Sequence, residues 1–168
     1  MAGKRGRVDP PCRVLGLDVG DRRIGVAVGD FEERTALPLT TLSRGKSPAE
    51  DAKVIATLAK EQRAGALVIG LPLEMSGSEG LQAIKTREWA DAVAAQTGLP
   101  VRFRDERLTS VRAEQRMPRP PRGRSGGPPT AAQREAQRRR VDREAAVLIL
   151  QDELDGSAPD ADCPGGEE

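Results

Sequence analysis

Residues 13–30 read RVLGLDVGDRRIGVAVGD, and this stretch decides the fold. Two short apolar runs, residues 14–19 and 24–28, flank the polar turn Gly20-Asp21-Arg22-Arg23. The second run alternates Ile24, Val26 and Val28 with Gly25, Ala27 and Gly29, the two-residue period of a strand. Together they predict a hairpin that opens a domain. Asp18 stands inside the first run, between Leu17 and Val19. A carboxylate in that setting needs a hydrogen bond, a salt bridge or a metal, because an unpaired buried charge is costly. It reads either as a strand-end cap for the turn below it or as a ligand. Glycines 16, 20 and 25 leave room for another backbone or a ligand to come close.

Working outward, residues 35–44 are rich in threonine and leucine and suit a third strand. Ser47-Pro48-Ala49-Glu50 predicts a helix start: Ser47 caps, Pro48 fits the first helical position, and Glu50 reaches back. Val54, Ile55, Leu58 and Ala59 give it an apolar face, with Gly65 as the expected stop. Residues 66–70 are continuously apolar, as in a strand covered on both faces. In the loop that follows, Ser76 and Glu79 have capping-box spacing and predict a helix running to Thr97, with Gly98 and Pro100 ending it. The free N–H groups at its start would face the same sheet edge and favour an anion. Residues 101–104 suit another strand, ending in Asp105-Glu106 and followed by a short helix over residues 111–117. A last helix is expected over residues 131–154, its apolar face made by Ala145, Ala146, Leu148 and Ile149. Asp142 lies three, four and seven residues before Ala145, Ala146 and Ile149, so it projects from that same side. It reads as a partner of Arg139 or Arg143, or as a functional acid.

The 168 residues suit one domain. The expected divisions are a disordered basic N-terminus (1–11), a folded domain (12–155) holding a mobile Pro/Arg loop (118–130), and a disordered acidic tail (156–168). No run approaches the ~20 apolar residues of a membrane span, and the N-terminus lacks an apolar signal core, so the expectation is a cytoplasmic protein without a membrane partner. Cys12 and Cys163 have no metal-type spacing. The chain has no histidine and no tyrosine. Mechanisms that rest on a histidine base are therefore excluded, leaving carboxylates, lysine, serine or a metal. The formal net charge of +1 conceals an asymmetry: residues 101–143 hold 13 arginines against five acids, whereas residues 152–168 hold seven acids and no base. A basic block of this kind fits a polyanionic partner, or reflects compositional bias alone.

Four blocks, RVLGLDVGDRRIGVAVGD, VIGLPLEMSGSEG, FRDERLTSVRAEQ and VDREAAVLILQDEL, resemble in order and spacing those of the YqgF family. These bacterial proteins are related to Holliday-junction resolvases and described as nucleases for pre-16S ribosomal RNA maturation. The resemblance spans residues 13–155. It implies an α/β, ribonuclease-H-like fold: a five-stranded mixed sheet, three antiparallel strands first, then two parallel ones, with helices on both faces. It also implies a metal-dependent nuclease that cleaves phosphodiester bonds in 5′-end maturation of pre-16S rRNA. The family's acidic positions fall on Asp18, the Asp105-Glu106 pair and Asp142. In the resolvases an acid ends the fourth strand, but here Gly70-Leu71-Pro72 stands in its place. The middle carboxylate must then come from Asp105 or Glu106, and Glu106 has the longer reach.

Carboxylates gathered at one edge repel unless a cation neutralises them or one takes up a proton. Mg²⁺ or Mn²⁺, with hard oxygen ligands, fits the set Asp18, Glu106 and Asp142. Two such ions about 3.5–4 Å apart suit phosphodiester cleavage. Arg107, Arg112, Arg119, Arg122 and Arg124 are the expected contacts to the phosphate backbone, with RNA (pre-rRNA) or structured DNA as the partner and a monomer or homodimer as the working form. Three other readings compete. An actin-like or sugar-kinase-like ATPase shares the Asp18-x-Gly20…Gly25 pattern but needs two lobes where 168 residues supply one. A nucleic-acid-binding or transcription-associated protein of the same fold would keep the acids with little hydrolysis. A Holliday-junction resolvase is the remaining reading.

Overall fold

The computed structural model describes residues 13–107, 109–117 and 125–156, with residues 109–111 described by their backbone alone. The basic N-terminus, the loop arginines Arg119, Arg122 and Arg124, both cysteines and residues 157–168 lie outside them. Five strands form one sheet in the order β3-β2-β1-β4-β5. They are β1 (Arg13–Val19), β2 (Arg23–Asp30), β3 (Thr35–Ser43), β4 (Ala64–Leu71) and β5 (Val101–Asp105). β1, β2 and β3 pair antiparallel, and β4 and β5 are added parallel to β1. This is the mixed ribonuclease-H-like sheet that the four sequence blocks imply, and β1 is its central strand.

Strand alternation sorts the sheet into two unlike faces. Leu15, Leu17, Val19, Ile24, Val26, Leu67 and Ile69 pack with Ile55 of α1 (Pro48–Gln62) and with Trp89 and Val93 of α2 (Leu81–Thr97). The other face carries Val14, Ala27, Ala66 and Val68 under Ala146, Ile149, Leu150 and Leu154 of α4 (Ala131–Gly156). Between these small residues lie glycines. A Cβ at Gly16 would come 2.6 Å from Leu150 Cβ, and one at Gly25 would collide with the backbone carbonyl of Asp142. α4 thus rests with its backbone directly on β1 and β2, which only a glycine track permits. Asp18 belongs to this face, in line with Val14 and Gly16.

α3 (Thr109–Arg116) packs Ala113 against Ala145 and Leu148 of α4. Several element ends differ from the sequence reading. α1 stops at Gln62, with Arg63 in the left-handed region (φ 54°) sending its N–H back to Ala59 and Lys60, so Gly65 lies inside β4 and ends nothing. α2 starts at Leu81 behind Gly80, and no side chain caps it. The expected partners are engaged elsewhere: Ser76 Oγ bonds Ser78 Oγ at 2.5 Å, and Glu79 pairs with Arg87. α4 runs to Gly156, one residue into the segment read as tail. Among the described residues no helix is long and apolar enough to cross a membrane.

Candidate active site

Asp18 and Glu106 meet where the C-terminal ends of β1, β4 and β5 approach α4, and Asp142 of α4 lies near enough to act on Asp18 by its charge. Asp18, on β1, is positioned by strand alternation on the α4 face, directly opposite Gly25 in the antiparallel register. Glu106 follows the last residue of β5, and its N–H donates to Leu71 O at 3.2 Å, which fixes the chain beside the end of β4. β4 separates β5 from β1, so Glu106 must cross a strand to reach Asp18. It crosses at Gly70. A Cβ there would lie 2.5 Å from Ile149 Cδ1 and closer still to Glu106 Oε2. The residue that interrupts the resolvase-like pattern is therefore what admits the acid from the next strand.

Glu106 and Asp18 share a hydrogen bond. Burial, then the charge of Asp18, then that bond push the Glu106 carboxyl up to about 9. Burial is also the main cause that raises Asp18, to about 6; the bond to Glu106 lowers it and the charge of Asp142 raises it. At neutral pH the pair thus holds one proton, on Glu106, which donates to the Asp18 carboxylate. Glu106 Oε2 is buried and accepts from no donor among the described residues. Asp142, on α4, is brought to this edge by the contact of its own backbone with Gly25. Its Oδ2 accepts from Arg23 Nε at 2.6 Å. The partner is Arg23, neither Arg139 nor Arg143, a pairing between residues 119 positions apart.

Asp105 does not join the three. It is exposed and clasped by Arg107, whose backbone N–H and Nε donate to it at 2.9 and 2.7 Å, and that neighbour holds its carboxyl below the usual carboxylate range. Arg107 itself is exposed and also reaches Met75 O at 3.4 Å, so it stays at the rim beside Glu106. Arg112 lies 3.3 Å from Asp152. Ten residues separate Asp152 from Asp142, about 15 Å of helix, so Arg112 is remote from the acids.

The donor set suits a hard divalent cation: three carboxylates, one buried oxygen that no donor serves, and a carboxyl raised by burial and by the neighbouring acid. Yet among the described residues no three acids are gathered closely enough to hold a metal ion, and Asp142 is paired with Arg23. Arg23 and Gly70 are the two site residues the sequence reading missed. Each had a signal: a basic turn following the acid, and a glycine at the end of a fully apolar strand.

Residues 12–156 match the family model RuvX, described as Holliday junction resolvase. The chain belongs to this family, the YqgF family. It is 45% identical over 142 residues to a protein of Chloroflexus aggregans named "Putative pre-16S rRNA nuclease", covering 84% of this chain and 92% of that one. A protein of the same name from an Anaeromyxobacter species is 45% identical over 144 residues, covering 86% and 97%. Among solved structures, Thermus thermophilus RuvC in complex with Holliday junction substrate is similar at a TM-score of 0.49 and 16% identity, covering 84% of this chain and 93% of that chain.

Proposed function

We propose that this chain is a metal-dependent endonuclease that matures the 5′ end of pre-16S ribosomal RNA, with Asp18, Glu106 and Asp142 holding Mg²⁺ or Mn²⁺. The observation that carries the reading is the half-buried Asp18–Glu106 pair, two acids set against each other with no donor serving Glu106 Oε2 and a third acid acting on Asp18 by its charge. An arrangement this unfavourable in isolation is what a cation site requires. The names of relatives from Chloroflexus and Anaeromyxobacter support the substrate.

Asp18 is the shared ligand, because it sits on the central strand and already contacts Glu106. Glu106 would hold the ion as a carboxylate, its proton given up to solvent. Asp142 completes the set from α4. A bound divalent ion would supply an activated water and stabilise the leaving oxygen of the phosphodiester. Arg107 at the rim, with Arg119, Arg122 and Arg124 of the basic segment, would hold the RNA backbone without reading its sequence.

The test is cleavage of a panel of RNA and DNA substrates, with and without chelator, beside Asp18→Asn. Cleavage of the RNA precursor should need Mg²⁺ or Mn²⁺ and vanish in the variant. Activity that survives both chelation and Asp18→Asn would overturn the reading. Binding without cleavage under every metal condition would turn it into that of a nucleic-acid-binding protein.

A further inference from the structure

Arg23 is the first residue of β2, and its Nε donates to Asp142 Oδ2 at 2.6 Å. Among the described residues it is the one base ion-paired with any of the three acids of the site. A guanidinium cannot shed its charge at accessible pH, so this partner cannot step aside by deprotonation. It can only move. Glu135, 43% exposed, lies 3.5 Å from Arg23 Nη1 and so offers the same guanidinium a second anchor. Glu135 precedes Asp142 by two turns on α4, about 10 Å along the helix and away from Asp18.

The position of Asp142 does not depend on this ion pair. Its backbone carbonyl is seated against Gly25, where even a methyl group would collide. Backbone packing thus places the Asp142 main chain, and Arg23 meets only its carboxylate.

We infer that Arg23 is a displaceable counter-charge, holding Asp142 in the metal-free protein and yielding it to a divalent cation while it stays on Glu135. The inference rests on the proposed role of Asp142 as a metal ligand. It explains how three acids persist at one edge before a metal arrives: one keeps a proton, one accepts that proton's hydrogen bond, and one borrows an arginine. It also sets the metal affinity, because the cation must compete with Arg23 for the same oxygen.

Mn²⁺ binding to the full chain, measured by calorimetry or water-proton relaxation without nucleic acid, tests this directly. Arg23→Gln should bind Mn²⁺ about tenfold tighter than wild type, since a like charge has left the site. Arg23→Lys, which keeps the charge, should stay close to wild type. Asp142→Asn should erase the gain, so that Asp142→Asn and Arg23→Gln/Asp142→Asn bind alike. Should Arg23→Gln bind no tighter than wild type, or more weakly, Arg23 is an orienting partner of Asp142 and the inference falls. The metal site itself would still stand if Asp18→Asn abolishes wild-type binding. Absence of any binding sensitive to Asp18→Asn, in wild type and Arg23→Gln alike, would remove both readings. A second measurement needs no variant: the Arg23 Nε–H resonance should move towards that of a free guanidinium on Mg²⁺ addition, and an unmoved resonance at saturation would overturn the displacement.

Discussion

Two carboxylate sites, one buried and one half-buried, lie on opposite faces of the sheet and solve the same problem in opposite ways. Asp51, in the first turn of α1, is 3% exposed and fully served by donors. It accepts from Arg44 Nε at 2.6 Å, from the Gly45 N–H at 2.7 Å and from Trp89 Nε1 at 2.9 Å. Arg44 continues to Gly20 O at 2.8 Å and lies over the Trp89 ring, 6.0 Å from its centroid. Across the sheet, Glu106 meets another acid, and one of its oxygens meets nothing. A charge surrounded by donors is architecture: it ties the start of α1 to the Gly20 turn from which β2 and Arg23 depart. Acids set against each other add nothing to stability, and this supports the proposed cation site.

The contrast breaks most sharply under neutralising substitutions. Asp142→Asn should reduce cleavage on the order of 10³-fold, equivalent to several kcal/mol of transition-state stabilisation, with a melting temperature near that of wild type. Asp51→Ala should do the reverse. It orphans Arg44 and the Trp89 N–H, so urea unfolding should show a loss of about 3 kcal/mol, with cleavage per folded molecule nearly unchanged. A variant of Asp51 that folds normally but cannot cleave would erase the distinction.

The glycines sharpen it next. Gly25→Ala drives a methyl group into the Asp142 carbonyl, and backbone cannot rotate away, so a loss of about 3 kcal/mol together with cleavage is expected. Gly70→Ala meets the end of the Glu106 side chain and Ile149 Cδ1. It should cost about 1–2 kcal/mol, yet weaken Mn²⁺ binding, because Glu106 is pushed off its path to Asp18.

pH exposes the same difference in the metal-free protein. Glu106 is raised from 4.5 to about 9 and Asp18 from 3.8 to about 6, so the folded chain holds protons that the unfolded chain has released. Stability contributed by this pair is therefore full below about pH 4 and falls as pH rises towards 9. Glu106→Gln cannot ionise. In chelator it should melt above wild type at pH 8, with the gap closing towards pH 5. Mg²⁺ should stabilise wild type and leave the variant unmoved. Parallel melting curves across this range would mean that the pair does not share a proton.

The smallest effect concerns Arg119, Arg122 and Arg124. Their replacement by glutamine should make the salt dependence of RNA binding shallower by roughly 0.7–0.9 per lost phosphate contact. Cleavage at saturating RNA should change little. Superimposable binding curves across salt would move the basic footprint to α4, around Arg134 and Arg138 to Arg140.

Much of this was legible in residues 13–30. Period-two alternation gave β2, an acid in an apolar run gave Asp18, and glycines 16 and 25 announced a close approach that proved to be the backbone of α4. Such features are local: they follow from which side of a strand a residue occupies and how much room it leaves. The same holds for the apolar face of α4, where Ala145, Ala146, Leu148 and Ile149 are all buried. Capping was less legible. Ser76 and Glu79 have the right spacing, but Arg87 and Ser78 are better placed partners, and a helix start is settled by whichever bond forms.

What tertiary structure alone decided was the pairing of charges. Between the adjacent Asp105 and Glu106, sequence favoured Glu106 only by its longer reach, and in the fold they separate because Gly70 leaves a path from Glu106 towards Asp18 while Arg107 clasps Asp105. The partner of Asp142 could not be read either, since Arg23 lies 119 residues away and meets it only once α4 rests on β2. Sequence by itself determines which residues are acids, which face each takes and where the backbone can approach, because these depend on neighbours a few positions away. Which charge faces which depends on distances of a few ångströms between elements distant in the chain, and Coulomb energy falls off too steeply with distance and screening for anything but the packed fold to set it.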